Sequence, residues 1–189
     1  MSAILLLPPT AEPLSVAEAK AFLRVTHEDD DAVIAALIAA ARSHVEALTR
    51  RALLTQSWRI TLDRWPADGR LRPRTGPLRS LLAAQVVDAA GVAHAVDLRN
   101  FVVDVAAELI ASPGFALPAP GRAVAGIALD VELGFGPRPA DVPEPLRQAL
   151  RLLVAHWYEN RGIAAIGDSV AMLPASVAAL LAPYRGLSL

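Results

Sequence analysis

Residues 145–162 read PLRQALRLLVAHWYENRG, and the fold turns on what this stretch is. Pro143 and Pro145 stand where the first turn of a helix tolerates proline, because the first amides have no partner inside the helix. From there Leu146, Leu150, Leu153 and Trp157 recur every three or four residues, the spacing of one helix face. The stripe predicts a long helix with Trp157 in the core and Gly162 as its stop. A second stripe lies beside it, made of Arg147, Arg151, Val154, Tyr158 and Arg161. Leu152 points elsewhere, with Gln148, His156 and Glu159. A helix with residues to place on more than one flank has more than one neighbour. Arginine and tyrosine beside apolar residues have the composition of an interface. Packing against the β segment of the same chain would absorb the same residues.

Working back toward the N-terminus, Ser15 and Glu18 stand at the S-x-x-E spacing of a capping box. A short helix over 15–24 follows from it. The acids of HEDDD (27–31) favour a helix start by complementing its dipole. The next helix runs to about Arg50, with Val33, Ile34, Leu37, Ile38, Ala41, Val45 and Leu48 on one face. Its back carries Ala35, Ala36, Ala39, Ala40 and Ala47, small enough to let another helix approach.

Between these helical parts the period changes from 3.6 to 2. In TQSWRITLD (55–63), Trp58, Ile60 and Leu62 alternate with Arg59, Thr61 and Asp63, which predicts a strand with one buried face. Residues 81–97 read as a hairpin turning near Ala90-Gly91. NFVVD (100–104) and ELIAS (108–112) are short strand candidates, and Ile127, Leu129, Val131 and Leu133 alternate again. The predicted fold is α+β: a helical bundle with a small antiparallel β insertion, sheet or sandwich, and a C-terminal extension. Its parts are N-terminal core helices over 1–53, a β-rich insertion over 54–136, the long core helix over 137–162 and a docking tail over 163–189. The tail holds a short helix near 175–182, stopped by Pro183. Its apolar residues, Ile166, Met172, Leu180 and Leu181 among them, are too many to leave in water, and Gly162 and Gly167 loosen its link to the rest.

Composition narrows function. The 189 residues suffice for one domain with a core, and 54% are hydrophobic. Much of that share is alanine, which buries little area, so neighbouring subunits are expected to complete the core. A net charge of −1 argues against a protein built mainly for non-specific nucleic-acid binding. Without cysteine there is no disulfide, thiolate nucleophile or cysteine-ligated zinc. The opening MSAILLLPPTAEP lacks a basic start and is broken by Pro8-Pro9, so it is not read as a signal peptide. No stretch approaches the ~20 apolar residues of a membrane span.

Candidate chemistry is thin. His27, His44, His94 and His156 do not stand at metal-ligand spacing, and His44 is read as a core histidine on the apolar face of its helix. Glu28–Asp31 are consecutive, unlike the alternating ligands of a calcium loop. Gly167-Asp168-Ser169 lacks the second glycine of a nucleophile elbow, and GFGPRP (134–139) lacks the third glycine of a dinucleotide loop. No catalytic, cofactor or metal site is predicted. Arginine is dense in RWPADGRLRPRTGPLRS (64–80), where Arg64, Arg70, Arg72, Arg74 and Arg79 either grip phosphate or an acidic partner or line a solvated loop.

Three segments carry a resemblance: LSVAEAKAFLRV (14–25), HEDDDAVIAALIAAARSHVEALTRRALLTQSWRITLD (27–63) and DVPEPLRQALRLLVAHWYENRG (141–162). They are similar to the head–tail connector, or adaptor, proteins of long-tailed phages, prophages and gene transfer agents. The arginine-rich loop has no counterpart in the resemblance. What the resemblance implies is structural, not enzymatic. It implies a homo-oligomeric ring, a dodecamer, beneath the portal protein at the head–tail junction of a virion or phage-like particle assembled in the bacterial cytoplasm. A tail-side stopper or tail terminator protein is implied as the other neighbour, with double-stranded DNA passing through the lumen and no membrane. Terminal segments of such proteins reach onto neighbours. Arg147, Arg151, Tyr158, Arg161, Arg70, Arg72, Arg74, Ile166, Met172, Leu180 and Leu181 are then the candidate contact residues. The competing functions are a DNA-binding accessory factor of packaging and a small hydrolase using His156, Glu159 or Ser169.

Overall fold

A computed structural model of the chain describes residues 1–113, 117–160 and 173–185. These form two compact units, one of residues 1–9 and 55–135, the other of 10–54 and 136–189.

The first unit is β. Its strands are β1 (Ser2–Leu7), β2 (Gln56–Leu62), β3 (Arg70–Leu71), β4 (Leu78–Val87), β5 (Ala93–Ala95), β6 (Val102–Asp104), β7 (Leu109–Ala111) and β8 (Ile127–Leu133). Five of them form a sheet in the order β1-β2-β8-β4-β5 and three form a second sheet in the order β3-β7-β6. Every pairing is antiparallel. The period-2 pattern sets the register. Ile60 lies opposite Leu129 and Leu62 opposite Ile127, while Ala84 and Val86 meet the same two residues from β4. All six are buried. Leu71 and Ile110 of the smaller sheet share one cavity with Leu129, Trp65 and Phe101. On the other face of the large sheet Arg59 makes a two-pronged ion pair with Asp130, at 2.7 and 2.8 Å.

The second unit is helical: α1 (Val16–Leu23), α2 (Asp31–Thr49), α3 (Glu144–Glu159) and α4 (Ala175–Leu181). The Ser15/Glu18 capping box forms as the spacing predicts, and α1 ends on Arg24 in the left-handed conformation. Ile34, Ile38, Ala41 and Val45 of α2 are buried, as are Leu146, Leu150, Leu153, Val177 and Leu181. By length and composition α2 could cross a membrane. Its buried stripe, and the ion pairs of Arg42 with Glu12 and Glu46, are those of a helix packed on other helices.

Several expectations need correction. The β part is not a small insertion: it is a substantial two-sheet unit, and β1 joins it from ahead of the helices. Val33 is exposed: the buried stripe of α2 is Ile34, Ile38, Ala41, Val45 and Thr49, and Val33 lies about 100° round the helix from Ile34. His44 is exposed and touches Trp157 edge-on, with ring centroids 5.7 Å apart. Trp157 is half-buried, and Val154 is fully buried rather than on the surface stripe. The helix rotates about 100° per residue, so Val154 falls next to Leu150 and Leu153 on the core side. Helix α3 stops at Glu159, with Asn160 as its cap; Gly162 lies outside the described residues.

Candidate functional site

The candidate contact residues fall into separate groups. On α3, Arg147 is held within its own unit. Its guanidinium donates to the Pro13 carbonyl, to Glu18 of α1 and to Glu144, and only 15% of the side chain is exposed. Arg151 donates to Glu144 and Gln148. The Tyr158 hydroxyl donates to the Asp30 carboxylate at the start of α2. The second stripe of the helix therefore ties α1, α2 and α3 together.

The electrostatics follow. The Glu18 carboxyl is held below its ordinary range, first by the backbone amide of Ser15, then by the Ser15 hydroxyl and Arg147, against the opposing effect of burial. Glu144 is lowered chiefly by its hydrogen bond from Arg151, with Arg147 adding to it.

Leu180 is half-exposed, and Leu181 is fully buried in the helical unit. Arg161, Ile166 and Met172 lie outside the described residues, as do Gly167 and Ser169.

In the β unit Arg70, Arg72 and Arg74 are exposed on and beside β3. Arg72 donates to the Ala107 carbonyl. Arg74 lines an apolar cleft of about 130 Å³ with Met1, Ala3, Trp58, Ile60 and Leu133. Arg79, from the same arginine-rich segment, turns back onto Glu132 at 3.1 Å and the Phe135 carbonyl.

A surface that sequence reasoning misses lies at the N-terminus. All six residues of β1 are exposed, and Ile4, Leu5, Leu6 and Leu7 are among the chain's exposed large apolar residues. The signal is present in the sequence: an apolar run of strand length, bounded by Pro8-Pro9. At the start of a chain the same run raises the question of a targeting segment first.

Of catalytic constellations there is little. No cluster of three metal-binding side chains exists among the described residues. Asn160 approaches His156 Nδ1 at 3.4 Å, and His156 Nε2 is buried without a partner among the described residues. Glu159 is exposed.

Comparison with known proteins covers both units. A family model described as phage gp6-like head-tail connector protein matches residues 13–110 and 122–185. No curated protein matches the chain. Solved structures resemble it along its length. A chain in the neck of an empty GTA particle computed with C6 symmetry is 29% identical, with a TM-score of 0.81, and the match covers 100% of this chain and 97% of that one. A chain in the virion of a native gene transfer agent (GTA) particle is 28% identical, with a TM-score of 0.79 and the same coverage. A chain in the neck of a native GTA particle computed with C12 symmetry is 27% identical, with a TM-score of 0.72 and coverage of 98% and 97%.

Proposed function

The chain belongs to the phage gp6-like head–tail connector family, and from that premise we propose that it assembles as a ring in the neck of a phage or gene-transfer-agent particle. The family is one of structural connectors, not enzymes. The observation that carries the reading is the span of the match: helical and β units are covered together by chains of two GTA necks and of a GTA virion.

In finer detail the ring is a dodecamer beneath the portal protein, with a stopper or tail terminator protein below it and double-stranded DNA in its lumen. The C12 symmetry of a similar neck supports that number. Arg70, Arg72 and Arg74 supply an exposed cationic patch for an acidic neighbour or for phosphate. Arg147, Arg151 and Tyr158 hold the helical unit in the shape that its neighbours meet. The segment 163–189, with Arg161 beside it, docks onto the portal or an adjacent copy. Ile166, Met172 and the half-exposed Leu180 are its contact residues, and Leu181 anchors its helix at home.

Light scattering of the full chain, alone and with portal-bearing heads, tests the reading. A ring-sized increase on the portal supports it. DNA affinity that falls steeply with salt, without any binding to heads, would instead favour an accessory factor of packaging.

A further inference from the structure

We propose that the free edge of β1, with the cleft beside its first residues, is a subunit interface that receives a second copy of this chain. The inference rests on the ring reading above and names a surface that closes the ring.

Strand β1 is the outer strand of the five-stranded sheet. Ile4 is 56% exposed, Leu5 42%, Leu6 40% and Leu7 65%. Edge strands that remain in water are blunted by charge, proline, bulges or shortness. The opposite edge obeys this: β5 is three residues long, and its central His94 pairs with Asp88 at 2.7 Å. Between Ser2 and Leu7 there is neither a charge nor a proline. The one such device is the register shift near its end, between Leu5 and Leu7, and the pairing from Ser2 to Leu5 is unbroken.

The cleft continues the same surface inward. Its volume of about 130 Å³ and its walls of Ala3, Trp58, Ile60 and Leu133 suit one apolar side chain, since a cavity of ~150 Å³ takes a benzene ring. An incoming segment can pair with the edge through its backbone and seat a side chain in the cleft, which is strand addition.

Charge and size decide the occupant. Residues Ser2–Leu7 carry no cationic side chain and Arg74 is the one arginine lining the cleft, too little for a DNA backbone, which is gripped by several cations together. Monomers rarely leave contiguous apolar patches larger than a few hundred Å² in water, and such patches mark interaction sites. One edge strand and a cleft for one side chain make a small contact beside the ~800 Å² per partner of a free-standing complex. A ring suits such a surface, because each copy is held on two sides at once and by the portal. Cyclic symmetry also makes the counter-surface a different part of the next copy; pairing of β1 with β1 gives a two-fold dimer instead.

The chain has no cysteine, so Leu7→Cys carries a unique thiol. In particles assembled with this full-length variant, maleimide labelling of that thiol should be lost, although the free chain labels readily. A short photo-reactive cross-linker attached to that thiol should join two copies of the chain, through β1 of one and a different surface of the next. Ile4→Lys/Leu7→Lys should melt like the parent chain yet be missing from necks. Undiminished labelling in necks that contain the chain would overturn the inference while leaving the connector reading intact. So would a cross-link only to another neck protein, or normal incorporation of the lysine variant. Absence of the parent chain from necks would sink the connector reading, and this inference with it.

Discussion

Arg147 shows how one side chain can look like an interface residue and act as a staple. It reaches Glu18, Glu144 and the Pro13 carbonyl at once. Hydrogen bonds to a charged group contribute about 1.5–3 kcal/mol each when well sheltered, and partial exposure of both carboxylates reduces that. Arg147→Met should therefore lower the stability of the helical unit by about 1–3 kcal/mol in urea unfolding. The same cluster sets a pH dependence. Glu18 and Glu144 have folded pKa values below their ordinary value of 4.5. Their contribution is fully present above that value and is lost as pH falls through the lowered folded values. Stability should drop on acidification below about pH 4.5, and Glu18→Gln should flatten that drop. Periodicity places Trp157 in the core, whereas the structure has it half-buried. Periodicity reports direction, and depth depends on what packs opposite, here the exposed His44 ring. Truncating it to alanine should cost about 2 kcal/mol, less than the 3–5 of a fully buried Trp.

Among the elements, α1 is the easiest to read, because a capping box is local chemistry: two side chains satisfying amides three residues away. Ser15→Ala should cost about 1 kcal/mol, measured as a lower unfolding midpoint with α1 otherwise intact. The strands are legible for the same reason, through alternation within each segment. Their pairing is not. The order β1-β2-β8-β4-β5 places β8 between β2 and β4, although it follows both in sequence. Nothing within β8 says which strands flank it. Ile127, Leu129, Val131 and Leu133 announce only a buried face. The β1 strand escapes for a related reason: all six of its residues are exposed, so no alternation marks it, and its run of leucines looks like several other things.

At the scale of the molecule, the two compact units are not consecutive in sequence. Residues 1–9 belong with 55–135, and 10–54 with 136–189, so reading the β part as a simple insertion between helices undercounts it. The assembly surfaces are legible only as a composition of arginine and apolar residues. Which of them is spent inside the subunit depends on partners distant in sequence. The C-terminal segment poses that question most sharply. Val177 and Leu181 are fully buried in the helical unit, so α4 is part of this subunit's own core. Burying each such side chain stabilises by about 1.5–3 kcal/mol. Lifting the whole helix onto a neighbour would forfeit that stabilisation, whereas Leu180 can make contacts while α4 stays seated. Truncation after Asn160 should therefore lower the stability of the helical unit by about 3–6 kcal/mol, and amides across 175–181 should resist exchange in the free protein. If the truncated chain unfolds at the parent's urea midpoint, the burial of α4 contributes nothing at home and the entire segment is free to serve its neighbours.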